Sequence, residues 1–279
     1  MALKCIPDMP VRLSVSGIGP MRIRLRRHRS YWLRNPVDHE RYMFGALHRL
    51  VKAGDAVYDV GANIGMYTRF IAGQLAARSV VAFEPMLENH KLLEANIALA
   101  TPDVSKKVIA LRMALSDRDG EEALQIDDMM SQSATLDSVS HGEAAQGRKQ
   151  YGLPPLTEVV STGKLDTLTA RGAVPPPDVI KIDVEGAEMQ VLDGAAETIA
   201  RHQPNLAIET HGLDLAKTVA RRLLDYGYHV FSRVQVGEER QHVRVDEFCL
   251  NHAHEQYDLH HLLASKDEQT VSAPVEDYH

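Results

Sequence analysis

Residues 57–65 read VYDVGANIG, and residues 80–85 read VVAFEP. Both open as short apolar runs rich in valine, the composition of strands buried on two faces. The first run carries Asp59 and passes into a turn holding Gly61, Asn63 and Gly65. Such a turn lets backbone approach a ligand, and the helix that follows presents unpaired N–H groups at its N-terminus. The second run closes on Glu84, 19 positions beyond Gly65. That separation is near the ~20 residues at which α/β folds place an acid that accepts both ribose hydroxyls. An α/β domain with a nucleoside pocket is therefore expected, with strand one at 56–60 and strand two at 80–83.

The turn is not that of a dinucleotide site. The G-x-G-x-x-G fingerprint brings backbone onto a pyrophosphate, whereas here the pattern is D-x-G-x-N-x-G. An acid at Asp59 opposes a pyrophosphate and suits a cationic ligand, such as the ammonium and sulfonium of S-adenosylmethionine. The plainer alternative is that Asp59 caps the next helix and the glycines only turn the chain.

A third segment, VIKIDVEGAE at 179–188, narrows the choice. With the first two it resembles the FkbM family of S-adenosylmethionine-dependent methyltransferases. The resemblance runs from about residue 40 to 227 and takes in MALSDRDG at 113–120, KLDTL at 164–168 and PNLAIETHG at 204–212. KIDVEGAE is the most specific of these strings. The resemblance implies a Rossmann-like methyltransferase fold with a seven-stranded, mostly parallel sheet. It also implies O-methylation of a hydroxyl on a sugar, glycan or natural product. Alternatives from other classes are a nucleotide-sugar oxidoreductase, which Asp59 opposes, and a non-catalytic nucleoside-binding module. Ser116 and Asp117, just past a strand at 108–113, are candidates for the adenine side of the pocket. The competing reading of 116–120 is a polar turn.

Composition agrees with an ordinary soluble globular protein. The chain has 279 residues, 44% hydrophobic, with a net charge of −7. That balance disfavours general nucleic-acid binding, which wants a basic face. There is no apolar run long enough to span a membrane, and the start, MALKCIPDMP, lacks the apolar core of a secretory signal. Cys5 and Cys249 are the two cysteines and make neither a disulfide framework nor a metal knuckle. A cytoplasmic enzyme with a small-molecule or glycan acceptor is expected. Nothing in the sequence sets the oligomeric state.

Outside the motifs, residues 1–52 read as an extension. A β-hairpin is expected at 11–15 and 21–25, its outward face carrying Arg22, Arg24 and Arg26 and continuing into Arg27, His28 and Arg29. That face is either solvated or a cationic rim for an anionic substrate. A helix over 38–51 follows, with Asp38 as N-cap. The methyltransferase domain spans 53–252. Within it, 127–156 has little periodicity and reads as a lid loop over the acceptor side. Helices are expected at 87–99, 186–200 and 213–226, and strands at 157–161, 179–183, 206–209, 228–232 and, last, 248–250. Residues 253–279 read as a polar tail.

Ligands of open α/β sheets lie beyond the carboxyl ends of the strands. Asp183 and Glu185 leave one such strand, and Glu209 and His211 another. Asp183 and His211 are the candidate general bases for the acceptor hydroxyl; Asp183 also borders the expected cofactor pocket. Lys181 lies on the same side of its strand as Asp183. It is either a structural partner of Asp183 or Glu209, or a contact to substrate. Asp183, Glu185 and Glu209 offer oxygens for a hard divalent cation, although none is expected. His252, His254, His260 and His261 form a further group near the tail, read as solvated rather than metal-binding.

Overall fold

The computed structural model describes residues 7–29, 40–127, 133–140, 146–236, 239–252 and 259–275. Strands β1 (Pro10–Val15) and β2 (Gly19–Arg24) form an antiparallel hairpin, followed by helix α1 (Arg41–Leu50). Asp38 lies outside the described residues. Then come β3 (Ala56–Val60), α2 (Met66–Gln74), β4 (Ser79–Phe83), α3 (Leu87–Ala98), α4 (Pro102–Ser105), β5 (Val108–Leu111) and β6 (Ala114–Leu115). The middle of the chain supplies β7 (Gly120–Asp127), β8 (Ser133–Leu136), α5 (Asp137–Ser140), α6 (Gln146–Gln150) and β9 (Thr157–Gly163). Next are α7 (Leu165–Ala170), β10 (Val179–Ile182), α8 (Glu188–Gly194), α9 (Ala196–His202), β11 (Asn205–Glu209) and α10 (Leu213–Asp225). The last elements are β12 (His229–Val236), β13 (Glu239–Arg244), α11 (Glu247–His252), β14 (His261–Ser265) and α12 (Glu268–Ser272).

The main sheet has eight strands, in the order β13-β12-β14-β11-β10-β3-β4-β5. From β11 to β5 every pairing is parallel, while β14 runs antiparallel to both β11 and β12, and β13 antiparallel to β12. The expected seven-stranded, mostly parallel sheet is thus corrected to a mixed sheet of eight. The segment 248–250, expected as the last strand, is part of helix α11. The strand comes instead from His261–Ser265, within the stretch that read as a polar tail. Its three central residues, Leu262, Leu263 and Ala264, are fully buried. Three apolar residues give too short a pattern to announce a strand in sequence.

Alternation along the strands feeds two cores. Tyr58, Val60, Val81, Phe83, Ile180, Ile182, Leu206 and Ile208 face helices α8, α9 and α10. Val57, Val80, Val179, Ala207 and Leu263 face the other way, onto Phe70 and Ile71 of α2 and the N-terminal elements. Met21 and Ile23 of the hairpin and Met43, Phe44 and Leu47 of α1 join this second core. Arg69 ties the hairpin down by donating to the carbonyls of Pro20 and Ile18 at 2.6 and 2.9 Å. The hairpin's basic face is partly neutralised: Arg24 and Arg27 pair with Asp8 at 3.1 and 2.8 Å, and Arg27 also pairs with Glu88. Burial pushes the pKa of His28 down to about 4, leaving it uncharged at neutral pH.

The stretch 127–156, read as a patternless lid, holds β8 and two short helices. With β6, β7 and β9, β8 forms a second sheet in the order β6-β9-β7-β8. Leu124, Ile126, Leu136 and Val160 give that sheet its own small core.

Candidate active site

Strand β3 ends at the turn that opens α2. The N–H groups of Gly61 and Ala62 both donate to the carbonyl of Phe83 at 3.0 Å. The turn is thereby fastened to the end of β4, and Glu84 arrives beside it. Gly61 has φ +77°, and a Cβ there would stand 1.8 Å from the carbonyl oxygen of Asp183. Its small size is required by the backbone leaving β10. Gly65 holds φ +89° at the N-cap of α2, where a Cβ would press Leu93; it lies outside the cavity wall.

A cavity of about 660 Å³, partly open to solvent, sits at these strand ends. Its polar lining comes from Asn63, Glu84, Asn89, Asp183 and Glu185, and its apolar wall includes Leu124, Ala134 and Leu136 of the second sheet. Gly61, Asn63, Glu84 and Asp183 are thus brought to one cavity. Ser116 and Asp117 do not line it: Ser116 is buried and its hydroxyl donates to Asp117 at 3.2 Å. Asn89 and the β7–β8 wall carried no sequence signal; Asn89 lies on the buried side of α3 with His90, Leu93 and Asn96. Asn63 and Glu185 adopt left-handed backbone, φ 51° and 53°, a costly conformation for residues other than glycine. Both border the cavity.

Glu84 is almost wholly buried. Its Oε2 accepts the N–H of Asn63 at 2.8 Å and its Oε1 the N–H of Met86 at 2.9 Å. Burial outweighs these bonds and lifts its pKa to about 7.

Asp59 does not reach the cavity. It is fully buried, accepts the hydroxyl of Thr68 at 2.6 Å and pairs with Lys181 at 3.1 Å. The expectation that its charge faces the ligand is corrected: Lys181, its register neighbour on β10, cancels it. Lys181 is 1% exposed. Its Nζ also donates to the Gly61 carbonyl at 3.1 Å and lies 3.5 Å from Asp183. Burial alone would lower the lysine pKa, but Asp59 and Asp183 together drive it upward. Lys181 thus lies buried behind the site, paired with both acids. The carboxyl pKa of Asp183 goes up to about 7, chiefly by desolvation, opposed by Lys181.

His211 meets Asp183 and Glu185 with Nε2, at 3.8 and 3.4 Å, and the buried Glu188 with Nδ1, at 2.9 Å. Burial works against the charged ring, but the bond to Glu188 and the neighbouring acids raise its pKa to about 9. Glu209 is flanked by His260 at 2.9 Å and His261 at 3.5 Å. Desolvation opposes its charge, yet those two imidazoles hold it well below the usual carboxylate range. Asp183 and Glu209 share a three-donor group with His211, not with Glu185. His254 lies outside the described residues, and His252 lies in α11.

The family model described as the methyltransferase FkbM domain matches residues 59–230. The chain belongs to the FkbM methyltransferase family. Among curated relatives it is 26% identical over 190 residues to the hexuronic acid methyltransferase AglP of Haloferax volcanii, covering 68% of this chain and 70% of AglP. It is 28% identical to the 31-O-demethyl-FK506 methyltransferase FkbM of Streptomyces tacrolimicus, covering 59% of this chain and 68% of that one. It is also 26% identical to the AMB antimetabolite synthetase AmbE of Pseudomonas aeruginosa, where the match spans 56% of this chain and 8% of AmbE.

Proposed function

We propose that this FkbM-family chain transfers a methyl group from S-adenosylmethionine to a hydroxyl of a sugar, glycan or glycosylated metabolite. One observation carries the reading. Gly61, Asn63, Glu84 and Asp183, drawn from the ends of three adjacent strands, line a single cavity.

The residues present fit that cofactor. The cavity's titratable lining residues are the acids Glu84, Asp183 and Glu185, with no lysine or arginine among them. An acidic lining favours a cationic ligand and opposes a pyrophosphate, which supports a methyl donor over a dinucleotide. The side-chain oxygens of Asn63 and Asn89 are buried without a hydrogen-bond partner, a costly state that a donor on a ligand relieves. Glu84 would accept the ribose hydroxyls, and Asn63 and Asn89 would accept from the ligand's remaining N–H or O–H groups.

When bound, the cofactor supplies an electrophilic methyl group on a cationic sulfur. The chain's own residues then orient the acceptor and handle its proton. Of Asp183, His211, Lys181 and Glu209, only Asp183 lines the cavity, so its carboxylate is the group placed to take the acceptor's proton at an Oδ atom. Lys181 holds that carboxylate from behind, and His211, anchored by Glu188, borders it. A sugar acceptor agrees with AglP being a hexuronic acid methyltransferase. The partly neutralised hairpin rim weakens the argument for a strongly anionic one.

Calorimetry with S-adenosylhomocysteine, followed by a radiolabelled methyl-transfer screen over monosaccharides, nucleotide sugars and glycosides, tests the reading. One cofactor per chain and label on a sugar oxygen are expected. Binding of NAD in place of S-adenosylhomocysteine would overturn it.

A further inference from the structure

Glu209 sits at the carboxyl end of β11, opposite His261 of β14 in the strand register. His260 precedes the strand, so both imidazoles reach the same carboxylate: Nε2 of His260 lies 2.9 Å from Oε1, and Nε2 of His261 lies 3.5 Å from Oε2. The other nitrogen of His260 lies 2.9 Å from the carbonyl oxygen of Thr210. A carbonyl only accepts, so Nδ1 carries the hydrogen and, in the neutral ring, Nε2 bears the lone pair. That lone pair faces a carboxylate oxygen, which also only accepts. A proton or another cation must lie between or beside them.

The same construction recurs next door. His211 turns Nδ1 to the buried Glu188, leaving Nε2 toward Asp183 and Glu185. Imidazoles whose far nitrogen is fixed by a carbonyl or carboxylate are the usual arrangement around metals. Protonation is the other way to supply the charge. It would set an imidazolium at 260 with its ring centroid 4.7 Å from that of His261 and 6.1 Å from that of His211. One divalent cation supplies the same charge without that repulsion. Two ligands on one ion, at bond lengths of about 2.0–2.2 Å, stand roughly 3–3.5 Å from each other; the two imidazoles stand 2.9 and 3.5 Å from the carboxylate oxygens, and all three donor atoms lie within 4.8 Å of one another.

We propose that Glu209, His260 and His261 form a binding site for a divalent transition-metal ion on the acceptor side of the cavity. Two imidazole nitrogens and one carboxylate select zinc, manganese, iron or cobalt over magnesium or calcium. Three protein ligands leave coordination positions open. Glu209 belongs at once to this group and to the group with Asp183 and His211, whose donor atoms lie within 4.8 Å of one another. Asp183 in turn lines the cavity, so the ion is placed to hold an acceptor oxygen. That use rests on the methyl-transfer reading; occupancy of the site does not.

The test uses the full chain without a histidine tag, stripped with chelator and titrated with Co²⁺, read by its visible absorption, with Mg²⁺ for comparison. One Co²⁺ per chain is expected, and its absorption should persist when excess Mg²⁺ is added as a competitor. His260→Ala and Glu209→Gln should each weaken uptake at least tenfold, while circular dichroism and S-adenosylhomocysteine binding report that the variants are folded. No uptake by the wild type, or uptake undiminished in both variants, would overturn the site. Co²⁺ uptake without S-adenosylhomocysteine binding would support the site and refute the methyl-transfer reading. Full methyl transfer by the stripped protein would support that reading and overturn the ion's role in it.

Discussion

Replacing Glu84 with glutamine should weaken S-adenosylhomocysteine binding and flatten its dependence on pH. The carboxylate accepts two backbone N–H groups, from Asn63 and Met86, and keeps lone pairs for two ribose hydroxyls. Glutamine offers one accepting oxygen, so its amide nitrogen must face one of those N–H groups. Hydrogen bonds to a charged group contribute about 1.5–3 kcal/mol, so loss of one net bond weakens binding about 10- to 150-fold. The pH dependence follows from burial, which raises the pKa from 4.5 to about 7. At pH 6 roughly one molecule in eleven carries the ionised carboxylate, and at pH 8 roughly ten in eleven. If only the ionised form grips the ribose, the apparent Kd falls about tenfold between those values. The sign for stability is opposite: a raised carboxyl pKa gives stability that is full below pH 4.5 and lost as pH rises through 7, by about 3 kcal/mol at most. Glu84→Gln should therefore be least damaging to folding at pH 8. Calorimetry at pH 6, 7 and 8 on wild type and variant measures the binding effect. Asp183→Asn serves as a control for the second acid with a pKa of about 7. Binding of the Gln variant within about threefold of wild type, with its pH slope intact, would refute the reasoning.

Three further outcomes are expected. Gly61→Ala places a methyl 1.8 Å from the Asp183 carbonyl at a φ of +77° and should cost about 3 kcal/mol or more in denaturant unfolding. Lys181→Met leaves Asp59 buried without its cation and should cost about 3–5 kcal/mol; adding Asp59→Asn should restore a good part of it, and strict additivity of the two would argue against their pairing. Asp183→Asn should lower the methyl-transfer rate by about 10²- to 10⁴-fold while S-adenosylhomocysteine still binds. A rate near wild type would remove Asp183 as the proton acceptor.

The parts of the fold legible in the sequence are those whose pattern is local. The runs before Gly61 and Glu84 are strands buried on both faces, and their apolar composition says so directly. β10 and β11 read equally well, and the turn chemistry of Gly61 and Asn63 marks where the cavity opens. What escaped depends on distant partners. Asp59 looks like a ligand-facing acid until register sets Lys181 beside it, 122 positions along the chain. β8 has four residues and borrows its stability from β7, and β14 is recognisable only once it is inserted between β11 and β12. The two histidines at 260 and 261 looked solvated because their carboxylate, Glu209, lies on another strand.

The account depends above all on a methyl-donor nucleoside occupying the cavity at the ends of β3, β4 and β10. A crystal structure of the protein with S-adenosylhomocysteine tests this most directly. Both ribose hydroxyls should lie within hydrogen-bond distance of the Glu84 carboxylate, with the sulfur on the Asp183 side. A ligand bound elsewhere, or a ribose turned away from Glu84, would contradict it.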